Sequence, residues 1–496
     1  MLSAPPPYWL AVAVGGKATQ HVSAAVSGLL ALNSGMALGW TSAAAAVEQG
    51  AQGFPLTSEE WSWVGSALTL GAVLGCLAVG ALLRPLGPRT ECLALAPIFF
   101  VGWALHLWAA DVWMLILGRS VVGLCFGAAC MLLPIYTSEV GESVVRGALG
   151  SYLELFICVG VLVVYLLGAY LPLVWLNAGC LAVPVVFALL FVWFPDSPRW
   201  LLGRRGRREE ARRALAFYRG ASLVDAELSD LEVALKCRSD DAEGVSLAAA
   251  FNTRAARKGL ALAVGAMLLQ QLSGIDGVTF YASQMFRDAG TLSLSADEAS
   301  MVMAATQIVF VMVSLLVVDR LGRRLLLMTS AAVMGLCGLA MGLYFYLNSG
   351  EGRDRSLDWV PVLVSCVYMM GFSFGLGPVP WLYVGELFQD RVKGLASSVA
   401  NSSNWLCAFL VTKFFPTVNE ELGVFVSFWV FGACCLAGVV AIAVFFPETK
   451  GRTLDEIQDE LEGRRARAGS KVDDNMSLSA IPARGRYGSF DSSSKF

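Results

Sequence analysis

The stretch Gln270-Gln271-Leu272-Ser273-Gly274-Ile275-Asp276-Gly277-Val278-Thr279-Phe280-Tyr281 decides the fold of this chain. It lies inside an apolar segment, residues 259–285, which holds no Lys or Arg and is long enough to cross the hydrocarbon core of a bilayer. Its middle nevertheless carries two adjacent amides, a hydroxyl and a carboxylate, which lipid cannot satisfy, so these groups should face protein or a water-filled cavity. The two glycines beside Asp276 favour a broken helix that lines a substrate site. The alternative is that the amides only join neighbouring helices.

The composition is that of a protein that crosses a membrane many times. Of its 496 residues, 56% are hydrophobic and 15% are charged, against about 25% charged in an ordinary soluble domain. Twelve apolar segments are predicted, at residues 22–46, 59–83, 92–110, 113–137, 148–170, 173–194, 258–285, 299–318, 325–347, 359–383, 394–415 and 424–446. A net charge of −3 without a basic groove pattern indicates no nucleic-acid partner. The twelve cysteines lie almost all in apolar segments, which predicts buried thiols rather than a metal site.

The chain contains an internal duplication. Glu139 and Arg146 follow one helix, and Glu386 and Lys393 follow another, with an offset of 247 residues for both members of the pair. The motif at 195–199 recurs in altered form at 447–451, 252 residues later, and the loop at 84–89 corresponds to 319–324, 235 residues later. Because six crossings separate the copies, both halves have the same orientation and form parallel repeats.

The distribution of basic residues predicts the orientation in the membrane. With both termini in the cytoplasm, only five of the 36 Lys and Arg residues lie outside or near outer helix ends: Arg119, Arg287, Arg353, Arg355 and Lys413. We therefore expect an all-α membrane protein of twelve helices in two parallel repeats. Its expected segments are a cytoplasmic start at 1–21, six-helix bundles at 22–195 and 258–449, a cytoplasmic linker with short helices at 196–257, and a largely disordered cytoplasmic tail at 450–496.

Several motifs resemble those of sugar porters in the major facilitator superfamily. Residues 270–276 resemble the family's QQLSGIN, with Asp276 in place of Asn, and residues 377–381 resemble its G-P-x-P-W helix. The forms P-D-S-P-R at 195–199 and P-E-T-K-G at 447–451 are typical of the same family. The chain looks most similar to glucose transporters of intracellular type and to arthropod trehalose transporters.

The resemblance implies a set of sugar-binding residues. These are Glu154, Gln270, Gln271, Asp276, Gln307, Trp381 and Asn404. Glu154 and Asp276 stand where relatives usually carry neutral amides, and Ala408 stands where some glucose transporters have Asn. Trp381 follows a Pro/Gly hinge and offers an aromatic face to the apolar side of a sugar ring, although a Trp near a membrane end is also typical of interface anchoring.

A second set of residues is expected to latch the cytoplasmic side. It comprises Arg84, Glu139, Arg146, Asp319, Arg320, Arg323, Glu386 and Lys393. The second half keeps the family's D-R-x-G-R-R loop at 319–324, whereas Arg84 and Pro85 replace its first two residues in the first half. The first-half latch should therefore be altered.

These features predict a facilitative carrier of a hexose or related sugar that works by alternating access. Helix one lacks the acid that proton-coupled relatives use, but Glu154 and Asp276 leave a proton-coupled symporter as an alternative. The rival from another class is a sugar sensor that binds without transporting. No nucleophile–base pair, cofactor motif or phosphate loop indicates an enzyme. The expected partners are a sugar, the lipid bilayer and, if the carrier is coupled, protons. We expect a functional monomer in the cell membrane or in intracellular vesicles.

Overall fold

The computed structural model describes residues 16–45, 53–79, 86–142, 144–203, 207–220, 224–240, 253–290, 294–348, 357–388 and 390–462. Every regular element in these ranges is a helix. The first ten are α1 Gly16–Ala43, α2 Ser58–Ala78, α3 Pro88–Leu107, α4 Val112–Val140, α5 Arg146–Gly150, α6 Tyr152–Tyr170, α7 Leu173–Phe191, α8 Pro198–Gly203, α9 Arg208–Arg219 and α10 Val224–Asp240. The next ten are α11 Arg254–Leu272, α12 Ile275–Phe280, α13 Ala282–Ala289, α14 Ala296–Leu321, α15 Arg323–Leu347, α16 Val360–Phe374, α17 Pro378–Glu386, α18 Asp390–Leu422, α19 Val424–Phe445 and α20 Leu454–Glu462.

All twelve predicted membrane segments coincide with helices. Within the described ranges, 11 helical stretches are long and apolar enough to cross a membrane. The twelfth is α18, a helix of 33 residues, which is less apolar because it carries Asn401 and Asn404. The first span begins at Gly16 rather than at residue 22, because the polar residues Thr19, Gln20 and Ser23 are buried against other helices. The twelve-helix architecture predicted from the sequence is therefore the one observed.

For orientation, we call residues 16–240 the N-terminal half and residues 253–462 the C-terminal half. The terminal face is the end of the bundle where α1 begins and α19 ends, and the distal face is the opposite end. The linker helices α9 and α10 lie at the terminal face, where Leu201, Leu215 and Leu228 form a small apolar cluster of their own. The helix α20 falls inside the predicted tail and packs there through buried Ile457 and Leu461, while residues 463–496 lie outside the described part.

Two spans are broken in their middle. α11 ends at Leu272 and α12 begins at Ile275, and Gly274 between them has a φ of 90°. A Cβ on Gly274 would lie 2.3 Å from the ring of Phe431, so both its backbone angle and its surroundings require glycine. The predicted segment 359–383 is likewise divided between α16 and α17 by the turn at Gly375–Gly377.

Glycines bring the backbones of α2 and α4 into direct contact. A Cβ on Gly75 would lie 2.0 Å from Leu124 O, and a Cβ on Gly127 would lie 2.1 Å from Ala72 O. Gly35 of α1 meets Ile157 O of α6 in the same way, at 1.9 Å. Close approach of this kind is how helices pack when lipid, and not water, surrounds them.

The two halves are joined by hydrogen bonds at the distal face. Ser283 N donates to Ser42 Oγ at 2.9 Å, and Tyr165 OH donates to Thr279 O at 2.6 Å. Lys413 Nζ donates to Ser62 Oγ at 2.6 Å and lies 4.5 Å from the ring centre of Trp63. The distal face is therefore held closed by contacts between the halves.

The close contact between α2 and α4 predicts that an added methyl group destabilises the protein at Gly127 but not at Gly147. Gly127→Ala should lower the melting temperature of the purified protein, because the backbones must separate and overpacking costs about 1–3 kcal/mol. Gly147→Ala is the matched control, since no atom lies within 4 Å of its Cβ position and Ala is the better helix former. Equal melting temperatures for Gly127→Ala and wild type would contradict this packing.

Candidate functional site

Three amide side chains form a continuous hydrogen-bonded relay in the C-terminal half. Gln271 Nε2 donates to Asn404 Oδ1 at 3.1 Å, and Asn404 Nδ2 donates to Gln270 Oε1 at 2.9 Å. Asn404 also donates to Met267 O at 3.1 Å, which fixes the orientation of its amide. All three side chains are buried. The structure thus brings together three of the predicted sugar-binding residues.

The relay ends on the backbone of the break between α16 and α17. Gln270 Nε2 donates to Leu376 O at 2.7 Å and to Gly377 O at 2.9 Å. Leu376 N donates to Ser330 Oγ at 2.9 Å, so a second side chain satisfies the same turn. The carbonyls that a broken helix leaves without partners are therefore bound by Gln270, one of the predicted sugar-binding residues.

Asp276 lies beside this relay, in the first turn of α12. The carboxyl is buried, with 8% of the residue exposed, and the side chain of Gln271 faces it. Asp276 Oδ2 and Gln271 Oε1 are both buried acceptors that no described group bonds. Because a buried polar atom without a partner is costly, these two acceptors mark a place for donors from outside the protein.

The remaining predicted binding residues do not join the relay. Glu154 Oε1 accepts a long contact from Cys158 Sγ at 3.9 Å. Gln307 is buried, and its backbone carbonyl accepts from Ser373 Oγ at 3.5 Å. Trp381 packs, partly buried, against the apolar core. Their roles in binding sugar remain predictions.

Sequence reasoning missed the role of Arg119, which it placed near an outer helix end. The side chain is fully buried in α4. Its Nη1 donates to Ala37 O at 2.6 Å, its Nε to Val64 O at 3.1 Å and its Nη2 to Thr41 Oγ1 at 3.0 Å. The signal that could have found it is a single cation in an otherwise apolar span, since such residues are rare unless functional.

The C-terminal half contains a network of ion pairs and hydrogen bonds among predicted latch residues at the terminal face. Arg323 Nη2 bonds Glu386 Oε1 at 3.1 Å, and Thr449 Oγ1 donates to Glu386 Oε2 at 2.6 Å. Glu448 accepts from the backbone N–H groups of Arg323, Arg324 and Lys450, at 2.9, 3.2 and 3.0 Å. Of the other predicted latch residues in this half, Arg320 accepts from Lys450 Nζ through its carbonyl, at 2.5 Å, and the side chains of Asp319 and Lys393 lie outside the described part.

The N-terminal half keeps only part of this arrangement. Asp196 corresponds to Glu448 and accepts from Arg89 N at 3.2 Å and from Ser197 N at 2.9 Å. Pro88, however, stands at the position of Arg323, 235 residues earlier, so the N-terminal half has no arginine at the position of the one that bonds Glu386. Arg84 and the side chain of Arg146 lie outside the described residues.

A different set of contacts holds the N-terminal half at the same face. Gln20 Nε2 donates to Glu142 Oε1 at 2.9 Å, and Glu142 N donates back to Gln20 Oε1 at 2.9 Å. Arg219 of the linker helix α9 bonds Glu227 at 3.1 Å and the carbonyl of Val140 at 2.7 Å. The linker helix α9 thus supplies a cation, Arg219, to the N-terminal half at the terminal face.

The two equivalent carboxyls have opposite pKa shifts. Burial opposes ionisation of Glu448, but three backbone N–H groups outweigh it and hold its pKa below the ordinary value. Burial raises the pKa of Asp196 above its ordinary value, although the N–H groups of Ser197 and Arg89 act against it. At neutral pH, the Glu448 carboxylate therefore stabilises its loop more than the Asp196 carboxylate does.

Comparison with known proteins settles the family. Residues 10–461 match the family model described as "Sugar (and other) transporter". The chain belongs to this family of transporters. It is 34% identical to a protein named facilitated trehalose transporter Tret1 from Bombyx mori, over 463 residues that make up 92% of this chain and 90% of that protein. A Tret1 from Polypedilum vanderplanki is also 34% identical, over 84% of this chain and 82% of that one.

Solved structures show the same architecture. The xylose transporter XylE from E. coli, in a structure described as its inward open conformation, superposes with a TM-score of 0.73. The identity is 22%, and the superposition covers 89% of this chain and 99% of that one. The fold is therefore that of the major facilitator superfamily. This chain is a multi-pass membrane protein of a family of transporters, not of enzymes.

The relay predicts that removal of the Asn404 amide disrupts several hydrogen bonds at once. Asn404→Ala would leave Gln270 Oε1 and Gln271 Nε2 buried without their partners, at a cost of about 1–3 kcal/mol for each group. We expect sugar binding to weaken by about tenfold or more and the melting temperature of the purified protein to fall. Asn348→Ala is the control, because that amide lies at the distal end of α15, where it donates to Tyr344 O. Unchanged binding in Asn404→Ala would contradict a role for the relay.

The opposite pKa shifts of Glu448 and Asp196 predict that replacing these two carboxyls affects stability differently, and in a way that depends on pH. At pH 7, Glu448→Gln should lower the melting temperature, because hydrogen bonds to a charged acceptor contribute about 1.5–3 kcal/mol. A carboxyl whose pKa is lower in the folded than in the unfolded protein stabilises the fold at pH values above its unfolded-state pKa, which is about 4.3 for Glu. This stabilisation is lost as the pH falls through the folded-state pKa. Wild type and Glu448→Gln should therefore converge in acid. Asp196→Asn is the matched control and should cost nothing at pH 7, and a loss equal to that of Glu448→Gln would refute the contrast.

Proposed function

We propose that this protein is a facilitative carrier of a hexose or a closely related sugar, such as trehalose, and that it works by alternating access. The observation that carries the proposal is the relay from Gln271 through Asn404 and Gln270 to the carbonyls of Leu376 and Gly377. A ligand that bonds the amides is thereby connected to the turn that divides a membrane helix. Binding and hinge movement share the same hydrogen bonds.

The chemistry of the site suits a polyhydroxylated ligand. Gln271 Oε1 and Asp276 Oδ2 are buried acceptors that no described group bonds, and sugar hydroxyls are donors that can satisfy them. A site built to bond hydroxyls discriminates strongly against ligands that lack them, because its own polar groups are then left unpaired. In this proposal, Gln307 and Glu154 add polar contacts, and Trp381 faces the apolar side of the ring.

The distribution of contacts supports an alternating cycle. The halves are bonded to each other at the distal face, whereas the Arg323–Glu386 pair and the Gln20–Glu142 pair each lie within one half at the terminal face. We place the terminal face in the cytoplasm, because most Lys and Arg residues of the loops lie there. The conformation is then closed to the outside, and a functional cycle requires the distal bonds to break.

The environment of Arg119 favours facilitative over proton-coupled transport. This buried cation is bonded by two backbone carbonyls and a hydroxyl, none of which titrates. Helix α1, in which proton-coupled relatives often carry an acid, offers Ala37 O and Thr41 Oγ1 to this cation. The curated relatives are named facilitated transporters, and one of the XylE structures is described as a proton:xylose symporter. Asp276 and Glu154 remain the groups through which coupling would run.

Transport and its coupling are tested together in liposomes of purified protein. We expect counterflow of labelled glucose or trehalose, and we expect the sugar to equilibrate without accumulation when a proton gradient is imposed. Accumulation above the external concentration, abolished by Asp276→Asn or Glu154→Gln while exchange continues, would establish coupling instead. Saturable sugar binding without any counterflow would indicate a sensor.

A further inference from the structure

A cavity lies at the distal face of the C-terminal half, away from the amide relay. Its volume is about 190 Å³. Its walls come from the α12–α13 junction, from the outer end of α18 and from the start of α19. The lining residues are Tyr281, Gln284, Met285, Asp288, Phe415, Pro416, Asn419, Glu420 and Val424. None of these residues belongs to the amide relay, although some of them lie on the same helices.

We propose that this cavity is a docking site for one sugar ring, which is filled at the distal face before the central site. The inference deepens the proposed function and rests on it. Throughout, we call these nine lining residues the distal pocket.

The lining combines the groups that recognise a sugar. Asp288 and Glu420 are exposed carboxylates that accept bonds from hydroxyls, and Gln284 and Asn419 are partly exposed amides. Asn419 Oδ1 already accepts from Ser427 Oγ at 2.6 Å, which leaves its NH₂ group to donate. Acceptors and donors thus line the same pocket, as the hydroxyls of a pyranose require.

The apolar side of the pocket is an aromatic wall. The rings of Tyr281 and Phe415 are stacked, with centres 5.6 Å apart and planes at 23°. Phe415 stacks in turn on Phe431 at 6.0 Å and 14°. Stacked rings present a rigid apolar surface, which suits the C–H face of a sugar.

The size of the pocket limits what it can hold. Cavities that enclose drug-sized ligands are typically about 300–1,000 Å³, so a cavity of about 190 Å³ accommodates a single ring and not a whole disaccharide. A disaccharide could enter only by one of its rings.

The aromatic wall of the pocket reaches both the seam between the halves and the break between α11 and α12. Tyr281 OH donates to Thr412 O at 3.1 Å and lies 2.7 Å from the Cβ position of Gly65 in the other half, so the pocket wall is part of the seam that must open. At the other end of the stack, Phe431 lies against Gly274, at the break between α11 and α12. A ring bound in the pocket therefore contacts Tyr281, one of the side chains at the seam between the halves.

The test measures the binding of ¹³C-labelled D-glucose to the full-length protein in lipid nanodiscs. Wild type should bind two glucose molecules. In an Asn404→Ala background, where central binding is weakened, one should remain. Adding Glu420→Ala with Gln284→Leu should weaken that remaining binding by about tenfold or more. Glu421→Ala is the matched control, since this neighbouring acid is exposed and does not line the pocket.

Three outcomes overturn the assignment. A stoichiometry of one in wild type, with counterflow intact, removes the docking site but leaves the proposed function standing. Equal losses in the Glu420→Ala, Gln284→Leu and Glu421→Ala proteins show a non-specific effect of surface charge or polarity. Binding of choline at these residues, with no glucose bound there, shows a cation site. Absence of both counterflow and central binding in wild type refutes the proposed function, while retained pocket binding would then still support the distal site.

Discussion

The constraint on which this structure depends is that no backbone polar group can be left without a partner inside a membrane. The turn at Gly375–Gly377 releases carbonyls from a helix, and Gln270 binds two of them, at 2.7 and 2.9 Å. A side chain of the proposed sugar site thus helps to hold the break, together with Ser330. Through Asn404 and Gln271, the same bonds reach a site with two buried acceptors that no described group bonds. A ligand that competes for these amides therefore acts directly on the hinge.

Duplication supplied two similar halves, and divergence gave them different ways of holding the terminal face. The carboxyls of Asp196 and Glu448 both bind backbone N–H groups of a preceding loop. In the C-terminal half, Arg323 also bonds Glu386. The proline at the equivalent position in the N-terminal half has no side-chain charge, and Arg219 of the linker bonds Glu142 and Glu227 instead. The two halves therefore release this face by breaking different contacts.

The distal closure is built largely from hydroxyls and backbone N–H and C=O groups. Bonds such as Ser42–Ser283 and Tyr165–Thr279 are neutral, and neutral hydrogen bonds typically contribute only about 0.5–1.5 kcal/mol each to stability. Closure of this kind can be reversed in every cycle. The tight glycine contacts of α2 with α4 lie within one half, so they keep that half rigid while the seam opens.

The sequence by itself determined the membrane architecture. Apolar runs separated by polar loops predicted all twelve spans, and the offsets of 247 and 252 residues showed the repeats, because hydrophobicity and repetition are properties of the chain alone. It also identified Gln270, Gln271 and Asn404, since amides in a membrane helix need a polar neighbour. Only the tertiary structure decided which neighbours they have. The bond from Gln270 to the hinge joins residues 106 and 107 positions apart, and the burial of Arg119 against α1 and α2 depends on how three helices pack. Such contacts follow from helix packing in three dimensions, which no local pattern encodes.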